Sequence, residues 1–94
     1  MTVNTIITPA TLDDLPNMVD FQLKMASETE GLELDKTVLE RGIESALNDS
    51  GKARYFIAKN NDKTVGMLMI TTEWSDWRAG WVWWIQSVYV IPEM

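Results

Sequence analysis

Any acid–base chemistry in this sequence falls to carboxylates or to relayed water, because its 94 residues include no histidine and no cysteine. The same absence removes thiolate nucleophiles, disulfides and cysteine-based zinc sites, and no metal site is expected. The carboxylates placed to do chemistry are Glu28, Glu30 and Glu33, between two helical segments, and Glu73 and Asp76, in a tryptophan-rich segment. For each of them the plain alternative is a solvated acidic face with weak surface ion pairs. All five tryptophans lie between residues 74 and 84. Indole faces attract ammonium ions, by up to about 2 kcal/mol when desolvated. The same rings serve equally as packing area in a core or an interface.

The elements that must position these groups fit one domain spanning residues 1–94. The chain is 46% hydrophobic and 23% charged, with a net charge of −6 and a pI near 4.4. A chain of this length buries roughly 60 to 70% of its extended surface and needs no staples. Residues 1–50 carry a net −7 and residues 51–94 a net +1. That balance argues against nucleic acid or an anionic membrane as partner. The N-terminus has no basic flank followed by an apolar run, and no stretch reaches the roughly 20 apolar residues of a spanning helix. The expected compartment is the cytoplasm.

Val3 to Thr8 is a β-branched run ended by Pro9 and reads as a strand. Thr11 with Asp14 forms an acidic variant of the capping box, and Pro16 fits a helix only in its first turn. Leu12, Leu15, Val19, Leu23 and Ala26 then recur at helical spacing, widened by Met18, Phe21 and Met25, with Gly31 as the stop. Asp35 caps a second helix whose apolar face is Val38, Leu39, Ile43, Ala46 and Leu47, ended by Ser50-Gly51. Arg54 to Lys59, a turn at Asn60-Asn61-Asp62, and Thr64 to Glu73 make a hairpin. Trp74 to Gly80 is a second turn, and Trp81 to Ile91 is the longest apolar strand. Along that strand Trp81, Trp83, Ile85 and Ser87 are expected on one face, and Val82, Trp84, Gln86 and Val88 on the other. The fold class is α+β: β-α-α-β-β-β, a four-stranded antiparallel sheet in order 1-2-3-4 with two helices.

In this order the segments resemble the GNAT superfamily of acetyl-CoA-dependent N-acetyltransferases. Ile7-Thr8-Pro9-Ala10-Thr11-Leu12-Asp13-Asp14-Leu15-Pro16 resembles the family's first strand and helix start. Tyr55-Phe56-Ile57-Ala58, a polar turn and Val65-Gly66-Met67-Leu68 are similar to its second and third strands. Gln86-Ser87-Val88-Tyr89-Val90-Ile91-Pro92-Glu93 is similar to its fourth strand and the approach to the cofactor loop. Glu73-Trp74-Ser75-Asp76-Trp77-Arg78 and Trp83-Trp84-Ile85-Gln86 resemble one bacterial subgroup.

The resemblance implies direct attack of an amine on acetyl-CoA. It assigns cofactor contacts to the main chain of Ser87, Val88, Tyr89 and Val90, beside a bulge in the strand. It puts the loop between the helices beside the amine, where Glu30 is a candidate contact; Trp74 and Trp84 are candidates through cation–π attraction, and without histidine the base is Glu73 or Glu28. The family's Arg-x-x-Gly-x-Gly/Ala loop, whose helix N-terminus cradles the coenzyme A diphosphate, would follow Pro92-Glu93, and the sequence given stops at Met94. The next helix, the fifth strand and the usual tyrosine acid are likewise not in it, and none of glycines 31, 42, 51, 66 and 80 supplies a substitute loop. The expectation is therefore an N-terminal half-domain, inactive alone and not a tight binder of acetyl-CoA. The alternative is a dimeric small-ligand-binding or interaction module derived from this fold. In either case the uncharged apolar strand Trp81–Val90 is expected to meet a second copy or the C-terminal half.

Overall fold

A computed structural model describes residues 5–92. In chain order they form β1 (Thr5–Pro9), α1 (Leu15–Glu30), α2 (Lys36–Leu47), β2 (Arg54–Asn60), β3 (Lys63–Ser75) and β4 (Gly80–Val90). The strands make one antiparallel sheet in the order β1-β2-β3-β4, as the sequence implies. Val3 and Asn4 of the expected first strand lie outside the described residues. The strand runs on through Pro9, which is tolerated because β1 is an edge strand.

Local chemistry sets the element ends. The Thr11 N–H donates to Asp14 Oδ2 at 2.9 Å, closing the capping box around a short 3₁₀ turn, and α1 follows with Pro16 in its first turn. Asp14 is buried, and its other oxygen lies 3.6 Å from Lys59 Nζ on β2, which ties the start of α1 to the sheet. Gly31 ends α1 at φ +64°, the left-handed conformation that glycine adopts without a Cβ clash. Asp35 Oδ1 accepts the N–H groups of Thr37 and Val38 at 3.0 and 3.2 Å and so opens α2. Asn61 and Asp62 both take positive φ, as a two-residue hairpin turn of matching twist demands.

Both helices cover one face of the sheet. Met18, Val19 and Phe21 of α1 and Ile43 and Ala46 of α2 pack on Tyr55, Ile57, Val65, Met67 and Tyr89. The opposite face carries Ile7, Phe56, Leu68, Ile85 and Val88, with Ile7 and Ile85 respectively 68% and 69% exposed. No described element covers it.

Two expectations are corrected. Trp74 belongs to β3 rather than to a turn, because β3 and β4 stay paired out to Ser75 and Gly80. The expected alternation along β4 also fails at one point. Met69 pairs with Ser87 and Ile70 with Ile85, so Gln86 is an extra residue, a β-bulge. A one-residue insertion reverses the face of everything beyond it. Trp81, Trp83 and Ile85 share the open face with Ile70, whereas Ser87 and Tyr89 turn toward the helices.

Candidate functional site

The bulge decides how β4 presents the four positions expected to meet a cofactor. Just past them, Ile91 donates its N–H to the Val65 carbonyl at 2.9 Å. Backbone groups alternate sides along an antiparallel strand, so Ser87, Tyr89 and Ile91 bond to β3. Val88 and Val90 therefore turn their N–H and C=O groups to the outer edge of β4. Among the described residues no strand borders that edge. Gly66, opposite Val90, keeps the two strands close: a Cβ there would come within 2.8 Å of the Tyr89 carbonyl oxygen.

Ser87 and Tyr89 contribute through their side chains instead. Gln22 Nε2 on α1 donates to Ser87 Oγ at 3.5 Å, a long bond, directly after the bulge. The rings of Phe21 and Tyr89 are 5.1 Å apart and tilted by 37°, and Tyr89 is only 7% exposed. Glu28, in the last turn of α1, faces the Tyr89 hydroxyl. Burial first, and then this carboxylate, push the Tyr89 phenol above its ordinary value of 10.0. On the same helix Asp20 holds Lys24 at 2.9 Å, which raises the lysine's pKa.

Of the expected acidic and aromatic residues, Glu28 alone is brought to this part of β4. Glu30 closes α1, exposed to solvent. Glu73 sits opposite Val82, on the far side of the bulge from Ser87. Trp74 and Trp84 lie on opposite faces of the sheet: Trp74 stands over Trp81 on the open face, while Trp84 pairs with Thr71 on the helix side. Gln22 is a further residue at this end of β4 that the sequence expectations do not include. Its signal was a polar side chain inside the apolar stripe, between Met18 and Met25. Gln86 is also tied down, donating to Thr71 Oγ1 at 2.8 Å, which anchors the bulged residue.

A diphosphate has no cradle among the described residues. The α1 N-terminus carries Asp13 and Asp14, and the first amides of α2 are bonded to Asp35. Both ends already hold carboxylates where an anion would sit. No group of three or more Asp or Glu side chains gathers as a metal site among the described residues. No helix there is long and apolar enough to cross a membrane.

A four-stranded antiparallel sheet in order β1-β2-β3-β4, with two helices after its first strand and a bulge in its fourth, is part of an acetyltransferase-like α+β fold. The chain belongs to the GNAT acetyltransferase family, whose model matches residues 16–94. It is similar to a possible acetyltransferase from Clostridium difficile 630, with 46% identity and a TM-score of 0.91 over 95% of this chain and 59% of that one. It also shares its fold with a predicted acetyltransferase solved with acetyl-CoA from Clostridium acetobutylicum, at 19% identity and TM-score 0.72 over 95% of this chain and 61% of that one. A third structure of this fold is the aminoglycoside N-acetyltransferase AAC(6')-Iy in complex with CoA. The match there has 13% identity and TM-score 0.74, over all of this chain and 60% of that one. The chain thus spans about 59 to 61% of the length of these three solved chains. No curated protein matches it.

The placement of Glu28 is open to direct titration. The two tyrosines, Tyr55 and Tyr89, both have raised pKa values, Tyr55 through burial. Their protonated forms are favoured by folding, so this stabilisation is complete below about pH 10 and is lost as pH rises through the folded values. Tyrosinate absorbance is expected to show both titrating late, with Glu28→Gln lowering Tyr89 alone. A titration unchanged by Glu28→Gln contradicts the contact.

Proposed function

We propose that this chain is the N-terminal part of an N-acetyltransferase, in which β4 holds the pantetheine arm of acetyl-CoA and α1 supplies the base for an amine acceptor. The observation that carries this reading is the outward turn of the Val88 and Val90 backbone beyond the Gln86 bulge. An extended arm containing amides is matched by alternating N–H and C=O groups along a strand edge. The fit is partial. The arm has its edge, whereas the diphosphate has no donor cluster among the described residues.

Acetyl-CoA, when bound, would supply the acetyl group, its thioester C–S bond breaking as the amide bond to the amine nitrogen forms and coenzyme A leaving as the thiol with the amine's second proton. The chain's own residues do the rest. Val88 and Val90 orient the arm through their backbone, and the Gln22–Ser87 and Phe21–Tyr89 contacts hold the strand in that register. Glu28 takes the proton that an ammonium substrate must lose before it becomes nucleophilic, a role left to carboxylates in a chain without histidine. The surplus of acid in residues 1–50 favours a cationic acceptor on this side. The reading assigns the protein to the cytoplasm, since a cysteine-free chain draws no stability from an oxidising compartment.

Titrating acetyl-CoA into the isotopically labelled chain tests the cofactor edge. The amides of Val88 and Val90 are expected to shift, with millimolar affinity because the diphosphate adds little. Micromolar binding, or shifts centred away from β4, contradicts the assignment.

The open sheet face is the second part of the reading. Ile7, Phe56, Leu68, Ile85 and Val88 form a contiguous apolar surface of a kind that seldom stays in water. We assign it to the C-terminal part of the fold, because the 46%-identical solved chain superposes on this one over only 59% of its length. Without that part, the chain is expected to self-associate through the same face. Light scattering at micromolar concentration should give a dimer or larger species, and Ile85→Lys should return it to a monomer. A monomeric wild-type chain contradicts the assignment.

A further inference from the structure

Apart from the β4 edge already described, the chain carries a cleft on the face of the sheet away from the helices. Pairing between β2 and β3 ends at Arg54 and Ile70, while β3 and β4 run on together to Ser75 and Gly80. The two longer strands therefore project as a two-stranded arm bearing all five tryptophans, with Trp77 at its tip 95% exposed. At the base of the arm lies a cleft of about 390 Å³, lined by Ser50, Gly51, Arg54, Thr72, Trp81 and Trp83. That volume is in the range of small-molecule sites.

Its chemistry is specific. The Arg54 guanidinium carbon stands 5.9 Å from the centre of the Trp83 ring. Trp81 packs edge to face against Trp74, its partner on β3, with ring centres 5.3 Å apart. Although the chain carries a net −6, no carboxylate among the described residues lies within ion-pair distance of Arg54. A guanidinium fork of this kind recognises carboxylate or phosphate through paired N–H bonds. The neighbouring indole faces offer a stacking surface for a flat ring, and the hydroxyls of Ser50 and Thr72 add polar partners at the rim. The guanidinium also argues against an ammonium ligand, because the Trp83 ring already has a cation beside it.

We propose that this cleft binds a small molecule that joins a flat ring to an anionic group, with the ring on Trp81 and Trp83 and the anion on Arg54. The shared chemistry has two sources, an aryl carboxylate and a nucleoside monophosphate. The site is separate from the one assigned to acetyl transfer and does not depend on it.

The test follows indole N–H resonances by NMR in the 94-residue chain and in its Ile85→Lys variant, whose open face is expected not to self-associate. The titrants are indole-3-acetate, adenosine monophosphate, indole, inorganic phosphate and tryptamine. At least one of the two ring anions is expected to shift the Trp81 and Trp83 signals, and to bind about tenfold more tightly than indole or phosphate alone. Whichever anion binds more tightly identifies the source. Tryptamine, a ring bearing a cation, should bind no better than indole. Arg54→Gln is expected to remove about tenfold of the ring-anion affinity while leaving that for indole unchanged. If Arg54→Gln disturbs the amide spectrum, Arg54→Lys keeps the charge without the fork, and a loss of affinity there supports the site as well. Equal affinity for indole and both ring anions overturns the proposal. So do tighter binding of tryptamine, unchanged affinity in the folded arginine variant, and shifts confined to other residues.

Discussion

One inserted residue governs this structure. Gln86 bulges out of β4, and every side chain beyond it changes face. With strict alternation, Ser87 and Tyr89 would share the open face with Ile85. The bulge sends them to α1 instead, where Gln22 and Phe21 meet them. The same step sets which backbone groups face β3 and which face outward. A single irregularity thus determines the packing of α1 on β4, the polarity of the outer edge and the division of the tryptophans between two faces.

The fold was legible because its signals are local and agree with one another. Thr11 with Asp14, Gly31, Asp35 and the Asn61-Asp62 turn each fix an element end by chemistry that can be read from two or three residues. The apolar periods between them then leave little choice of topology. The bulge was not legible as a position, because nothing in Ile85-Gln86-Ser87 says which residue drops out of register. That depends on pairing with Met69 and Ile70, a contact distant in sequence. The extent of β3 was missed for a related reason. Trp74 beside Ser75 and Asp76 reads as a turn until Trp81 is placed across from it.

The site was legible only in part. The resemblance pointed to Ser87 through Val90 as a block, and the structure separates them into two outward backbones and two inward side chains. Glu28 came from the scarcity of acid–base groups in a chain without histidine. Its meeting with Tyr89 is a tertiary fact that no spacing reveals. Glu73 and Trp74 stay apart from that end of β4 because they lie on the arm, beyond the bulge. The tryptophans themselves read as seam or cage. In the fold Trp81 and Trp83 border a cleft with an arginine, whereas Trp77 and Trp84 point elsewhere.

Hydrogen exchange along β4, resolved residue by residue, reads out the register set by the Gln86 bulge. It is best run on the chain as it stands and on its Ile85→Lys variant. The bulge at Gln86 and the bond from Ile91 to Val65 predict slow exchange at Ser87, Tyr89 and Ile91, and fast exchange at Val88 and Val90. Uniform protection from Ser87 to Ile91 in both proteins, or the opposite alternation, would contradict the register on which the cofactor edge and the α1 contacts depend.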